Sequence, residues 1–177
     1  MDPEASNLHM DTASRMLQSC RTELRRCIWD LRGDALEERD FAEAIRKTLQ
    51  PIADSVTVAM RVDVPRSRLS DSTAHSVLRI LRELASNAIR HGKARHIYVA
   101  GALEIGKLQF SVRDDGCGFV PGNCPGPGYG HFGLDGIRER IKRLGGTFKV
   151  ESTPGTGTYA RFEIRDMSTN EKKDGLS

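Results

Sequence analysis

Four polar residues share one stripe of a helical stretch. Glu83, Asn87, Arg90 and His91 stand at i, i+4, i+7 and i+8, a spacing that gathers side chains on one side of a helix. A carboxylate, an amide oxygen and a cation in one row could hold Mg²⁺ and the phosphates it bridges, because Mg²⁺ takes hard oxygen ligands and keeps several waters. The opposite side carries Ala74, Val77, Leu78, Leu81, Leu84, Ala85 and Ala88, an apolar face suited to anchoring the helix in a core. Taken alone, the polar stripe reads more simply as a solvated face.

Three further segments shift that balance. Asp114-Asp115-Gly116-Cys117-Gly118-Phe119 closes an apolar strand. A carboxylate there can accept from an exocyclic amine such as that of adenine, and the glycines let the backbone approach the ring and adopt positive φ. Gly128-Tyr129-Gly130-His131-Phe132-Gly133-Leu134 runs into a helix, where free backbone N–H groups and the helix dipole favour anions. Gly155-Thr156-Gly157-Thr158 alone is a hairpin turn. Each is weak by itself; the order and spacing of all four are not.

Two apparent motifs are decoys. Gly101 to Lys107 matches GxxxxGK, but Leu108 follows where a Mg²⁺-binding hydroxyl belongs, and the next residues alternate as a strand instead of opening a helix. Gly116-Cys117-Gly118 lacks the third glycine of a dinucleotide fingerprint, since Pro121 holds that place. The cysteines Cys20, Cys27, Cys117 and Cys124 form no CxxC, so reduced thiols in a cytoplasmic setting are expected rather than zinc. With 27 Lys+Arg against 24 Asp+Glu the formal charge is +3, spread along the chain, which gives direct nucleic-acid binding no special weight. No apolar run approaches the roughly 18 residues of a membrane span, and no cleavable signal is visible.

The elements that must position these residues follow from periodicity. Residues 1–13 are expected to be a tag or a disordered segment. Leu17, Cys20, Leu24, Cys27 (or Ile28) and Leu31 give residues 14–33 a narrow helical seam ending near Gly33. A helix is expected over Asp40–Ala53, a strand through Val56, Val58, Met60 and Val62, and a long helix from about Asp71 to His91 with Ser70 as N-cap. Strands His96–Leu103 and Leu108–Asp114 form a hairpin through Gly106. A Gly- and Pro-rich loop follows, too long for a plain connector. A helix carrying Leu134, Ile137, Ile141 and Leu144 then ends at Gly145-Gly146, and strands Thr147–Ser152 and Thr158–Ile164 close the domain. Residues 166–177 read as a flexible tail. The economical packing is α+β: a two-layer sandwich, one mixed sheet with helices on one face.

Together the four segments resemble the ATP-binding domain of the GHKL superfamily, which includes sensor histidine kinases, type II topoisomerases and the Hsp90 chaperones. Glu83 to His91 (ELASNAIRH) is similar to its N box, Asp114 to Gly118 to its G1 box, Gly130 to Leu134 to its G2 box, and Gly155 to Thr158 to its closing glycine motif. GHFGLDGIRERIKRLGG followed by STPGTGT, and the segment RRCIWDLR, resemble the sensor histidine kinases that partner LuxR-type response regulators. The likeness runs from about Cys20 to Ile164.

The resemblance implies a fold, the Bergerat ATP-binding sandwich over 38–165, and roles for individual residues. Asn87 would coordinate Mg²⁺, and Glu83 would orient or activate through a metal-bound water, the nearest thing to a catalytic base. Arg90 would meet phosphate and His91 the ribose or base. Asp114, helped by Thr158, would hold adenine in a pocket shaped by Gly116 and Gly118. Gly130, His131, Gly133 and Leu134 would contact phosphates, under a lid of residues 119–129.

It also implies partners. These are a dimerisation and phosphoacceptor helix pair, of which residues 14–33 would be the tail, a response regulator with a receiver aspartate, and a homodimeric parent protein, while this segment itself is expected to be cytoplasmic. The histidines are His9, His75, His91, His96 and His131, and none lies on the seam helix. The expected phosphoacceptor is therefore missing, as in a catalytic fragment. An anti-sigma-type serine kinase and a non-catalytic nucleotide-sensing module share the same nucleotide site and are the rival expectations.

Overall fold

The computed structural model describes residues 35, 37–120 and 131–165, all within the second of two units of the chain, Ala35–Ser177. The expected segments 1–13, 14–33 and 166–177 lie outside the described residues, as do Gly130 and the predicted lid beyond Val120.

Helix α1, Phe41–Leu49, opens where the Asp40 carboxylate accepts the amide of Ala42 at 2.9 Å, satisfying one of the orphan donors of a first turn. The sequence predicts helix to Ala53, but the chain tightens into a 3₁₀ turn over Gln50–Ile52. Pro51 has no N–H with which to continue the i→i−4 ladder. Strand β1 follows at Thr57–Asp63. Helix α2, Asp71–Arg90, begins at Ser70, whose hydroxyl accepts the amide of Thr73 at 3.2 Å. It buries the seven expected apolar positions and Ile80 besides.

Strands β2, His96–Glu104, and β3, Lys107–Asp114, are joined by Ile105 and Gly106, both at positive φ (48° and 69°). That two-residue left-handed pair suits the twist of a hairpin, and it is where the GxxxxGK decoy falls. Helix α3, His131–Arg143, and strands β4, Thr147–Thr153, and β5, Gly157–Arg165, complete the element order.

The sheet runs β1-β2-β3-β5-β4. β1 and β2 are parallel, with α2 in the crossover between them, and every other pair is antiparallel. Alternation sorts the two faces. Ile97, Val99, Leu108, Phe110, Val112, Ala160, Phe162 and Ile164 are buried under the helices, while Tyr98 and Tyr159 on the other face stay exposed. The result is the expected two-layer α+β sandwich.

One row across the sheet joins Val62, Gly101, Phe110, Phe162 and Phe148. The Phe110 ring lies over Gly101, where any Cβ would collide with it. It also stacks on Phe162 (centroids 5.6 Å apart, 21°) and meets Phe41 edge-on at 6.2 Å and 72°. Such aromatic pairs add about 0.5–1.5 kcal/mol each beyond area burial, and here they tie α1 to the middle of the sheet. Among the described residues no helix is long and apolar enough to cross a membrane.

Candidate functional site

The site gathers at one end of the sheet, where β3 finishes and α2 stops. Alternation that buries Leu108, Phe110 and Val112 also turns Asp114 inward, and it is 7% exposed. Its Oδ1 accepts the amides of Gly116 at 2.9 Å and Thr158 at 3.2 Å; neither bond engages Oδ2. Burial pushes its carboxyl above the ordinary carboxylate value. The two amide donors oppose that rise, and the neighbouring Asp115 charge adds to it.

Asp115, one residue on, faces the other way and does different work. Its Oδ1 accepts the amides of Arg95 (2.8 Å) and His96 (2.9 Å), and its Oδ2 meets His96 Nδ1 at 2.7 Å. The His96 amide, then its ring and the Arg95 amide, pull this carboxyl far below its ordinary value. Sequence reasoning gives Asp115 no role of its own; the structure makes it a clamp between the start of β2 and the loop after β3.

Backbone contacts stitch that loop to its neighbours. The Cys117 amide donates to the Gly92 carbonyl at 2.7 Å, the Cys117 thiol reaches the His91 carbonyl at 3.4 Å, and the Gly155 amide donates to the Cys117 carbonyl at 2.7 Å. A Cβ at Gly116 would sit 2.6 Å from the Gly92 carbonyl oxygen. Gly118, at φ 60°, would drive one into the Thr153 carbonyl, and Gly157, at φ 85°, into the carbonyl of Asp114. Gly116, Gly118, Asp114 and Thr158 are therefore brought together as expected.

The second half of the site lies on α2 and α3. Gly133 falls inside the first turn of α3 rather than ahead of the helix, as expected from sequence. Its missing side chain explains the position: a Cβ there would lie 3.0 Å from Glu83 Oε1 and 3.1 Å from Asn87 Nδ2. The first turn of α3, whose amides have no intrahelical acceptor, is thus laid against the Glu83–Asn87 stripe, with Leu134 half-buried beside it. The Asn87 Nδ2 is buried and has no hydrogen-bond partner among the described residues, a state that native interiors rarely leave uncompensated.

The two halves are linked by the end of α2, where the amides of His91 and Gly92 both donate to the Asn87 carbonyl at 2.9 and 3.1 Å. Arg90 and His91 stand exposed there, and among the described residues His91 meets the loop through its carbonyl, which the Cys117 thiol reaches. Gly130 and the His131 side chain lie outside the described residues. Ser152, which sequence reasoning did not single out, accepts the Phe119 amide at 2.9 Å and contacts Gly157 and Thr158. Its only sequence signal is its inward parity with Phe148 and Val150.

These residues fit a nucleotide with a divalent cation. Asp114 Oδ2 can accept from a base, the α3 amides can meet phosphate, and the orphaned Asn87 amide can offer its oxygen to a cation after a flip of its two ends. Among the described residues no three His, Cys, Asp or Glu side chains are gathered as a dedicated metal centre, so a cation here would share its shell with phosphate oxygens, as Mg²⁺ commonly does.

Residues 73–167 match the family described as histidine kinase-, DNA gyrase B-, and HSP90-like ATPase. The chain is 29% identical over 165 residues to an uncharacterized sensor-like histidine kinase of Chloroflexus aurantiacus, covering 89% of the chain and 28% of that protein. It is 31% identical over 136 residues to the signal transduction histidine-protein kinase/phosphatase UhpB of Salmonella typhimurium, covering 75% and 26%. Its fold is similar to that of the blue-light activated histidine kinase of Erythrobacter litoralis EL346, with a TM-score of 0.60 and 23% identity over 73% of the chain and 42% of that structure. It is also similar to full-length ShkA in complex with AMPPNP, with a TM-score of 0.57 and 21% identity over 71% and 30%. The chain spans under a third of the length of either curated relative.

Proposed function

The chain belongs to the histidine kinase-, DNA gyrase B-, and HSP90-like ATPase family, and from that premise we propose that it is the Mg·ATP-binding catalytic domain of a sensor histidine kinase. It transfers the γ-phosphoryl group of ATP to a histidine on a partner helix pair, for relay to an aspartate of a response regulator. The reading is supported most by one arrangement: the buried Asn87 Nδ2, without a hydrogen-bond partner among the described residues, lies against the first turn of α3 at Gly133, with Glu83 beside it.

Each group has a part. Asp114 takes the exocyclic amine of adenine on Oδ2, and the loop from Gly116 to Gly118 forms the pocket wall. The amides of His131 to Leu134 cradle phosphate oxygens, while Arg90 and His91 line the rim. Mg²⁺, when bound, supplies neutralisation of charge on the phosphates, and the Asn87 amide oxygen is its protein ligand. Glu83, beside Gly133, orients a proton of the incoming imidazole. As the imidazole nitrogen bonds to the γ-phosphorus, the bond from that phosphorus to the β,γ-bridging oxygen breaks and ADP leaves. Catalysis here is positioning and charge stabilisation, as phosphoryl transfer generally requires.

The test combines ATP titration, with and without Mg²⁺, and incubation of the chain with labelled ATP and a separately made phosphoacceptor helix pair. Acid-labile, alkali-stable label on the helix pair supports the reading. Acid-stable label points to the serine-kinase rival, and binding without any transfer to the sensing-module rival. Glu83→Ala is expected to keep ATP affinity within about threefold and to lower transfer by roughly 10²-fold or more.

A further inference from the structure

Ser152 Oγ on β4 meets three groups: the Phe119 amide at 2.9 Å, the Gly157 carbonyl at 2.9 Å and Thr158 Oγ1 at 3.1 Å. A serine hydroxyl has one proton and two lone pairs. The Gly157 carbonyl can only accept, so it takes the proton. The Phe119 amide can only donate, so it takes one lone pair. One lone pair remains for Thr158, whose hydroxyl must therefore donate to Ser152. With its proton committed, the Thr158 oxygen has only lone pairs left to offer a ligand. Asp114, bonded to the Thr158 amide through Oδ1, adds a second acceptor in Oδ2. Asp114 Oδ2 and the Thr158 oxygen thus both act as acceptors toward a ligand.

We propose that Ser152 is a specificity-determining positioning residue of the nucleotide site: by fixing the direction of the Thr158 proton, it makes the pocket accept 6-amino purines and reject 6-keto purines. The proposal rests on the reading of this site as a nucleotide pocket. A 6-amino purine brings an N–H donor to the two acceptors. A 6-keto purine turns a carbonyl oxygen toward them, so lone pairs face lone pairs, and a buried mismatch of this kind costs more than a bond that is merely missing. Without the Ser152 hydroxyl, the Thr158 hydroxyl is free to rotate and donate to the keto oxygen. Ser152 touches no ligand in this scheme and acts through Thr158.

ATP and inosine triphosphate are the probes, because their bases differ only at position 6 and in the proton on the adjoining ring nitrogen. Calorimetric titration of the full chain with each, in Mg²⁺, gives a preference ratio, which a general loosening of the fold would leave unmoved. The parent is expected to favour ATP, and Ser152→Ala to narrow the ratio by roughly tenfold, chiefly through tighter inosine triphosphate binding. The double variant Ser152→Ala/Thr158→Val, which has no hydroxyl to turn, is expected to return toward the parent ratio. Equal weakening of both nucleotides in Ser152→Ala, or an equally narrowed ratio in the double variant, overturns the proposal. Should Ser152→Ala fail to fold, Ser152→Cys keeps the side-chain size with a poor acceptor and must show the same narrowing. A parent that binds neither nucleotide overturns the nucleotide reading itself, a result distinct from binding both without preference, which overturns only the role given to Ser152.

Discussion

If Asp114 holds the adenine amine as proposed, replacing it with Asn changes one oxygen for one NH₂ group at that contact. The amides of Gly116 and Thr158 hold Oδ1 at 2.9 and 3.2 Å, and they will keep an oxygen there, since Nδ2 in that place would face two donors. Nδ2 is thereby left where Oδ2 was, donor against the donor of an adenine amine. The variant loses a charge-assisted bond of about 1.5–3 kcal/mol and gains a mismatch of about 1–3 kcal/mol. The sum, about 2.5–6 kcal/mol, raises the Kd for ATP by roughly 10²–10⁴-fold.

Stability should move the other way. The raised pKa of Asp114 in the folded chain means that folding favours its protonated form. That contribution is present below the unfolded value and is lost as pH rises through the folded one. Asn carries no such loss, so Asp114→Asn is expected to melt at or above the parent temperature at neutral pH, with the gap closing in acid. Calorimetric titration with ATP and thermal unfolding across pH measure the two effects. An ATP affinity unchanged from the parent, or a variant that fails to bind because it has unfolded, refutes the reasoning.

The neighbouring carboxylate carries the opposite sign. Asp115 is held below its ordinary value by the Arg95 and His96 donors, so its contribution is present above the unfolded value and lost as pH falls through the folded one. Asp115→Ala should lower the melting temperature at neutral pH, with parent and variant converging in strong acid; a constant difference across pH contradicts the clamp. At Gly133, alanine favours the helix by about 1 kcal/mol, yet its Cβ would stand 3.0 Å from Glu83 Oε1 and 3.1 Å from Asn87 Nδ2. Gly133→Ala is expected to melt no lower than the parent while binding Mg·ATP at least roughly tenfold more weakly, and an unchanged affinity would show that the approach of α3 to α2 does not matter for the ligand.

Local chemistry was readable along the chain. Ser70 caps α2, the Ile105-Gly106 pair turns the hairpin, and the seven apolar positions of α2 face the core because each depends on neighbours within a few residues. Asp114 was legible too, by its parity with Leu108, Phe110 and Val112. What could not be read depends on pairings between distant segments. Nothing local places β5 between β3 and β4, and only that order puts Thr158 beside Asp114 and Ser152 behind both. The role of Asp115 was hidden for the same reason, since its partners, Arg95 and His96, stand twenty and nineteen residues earlier. Gly133 reads as standing ahead of the helix because a glycine inside one is unfavourable on propensity alone; the packing of Glu83 and Asn87 against it overrides that cost.

The glycines of the floor have a consequence for how this domain can vary. A collision with a side chain can be relieved when that side chain adopts another rotamer or shrinks by mutation. At Gly116, Gly118 and Gly157 the nearest atoms in the way are main-chain carbonyl oxygens, those of Gly92, Thr153 and Asp114, which every amino acid possesses. No second-site exchange of side chains can therefore make room for a bulkier residue at these three positions. The floor is written in backbone, and descendants of this sequence can diversify around it only at the rim.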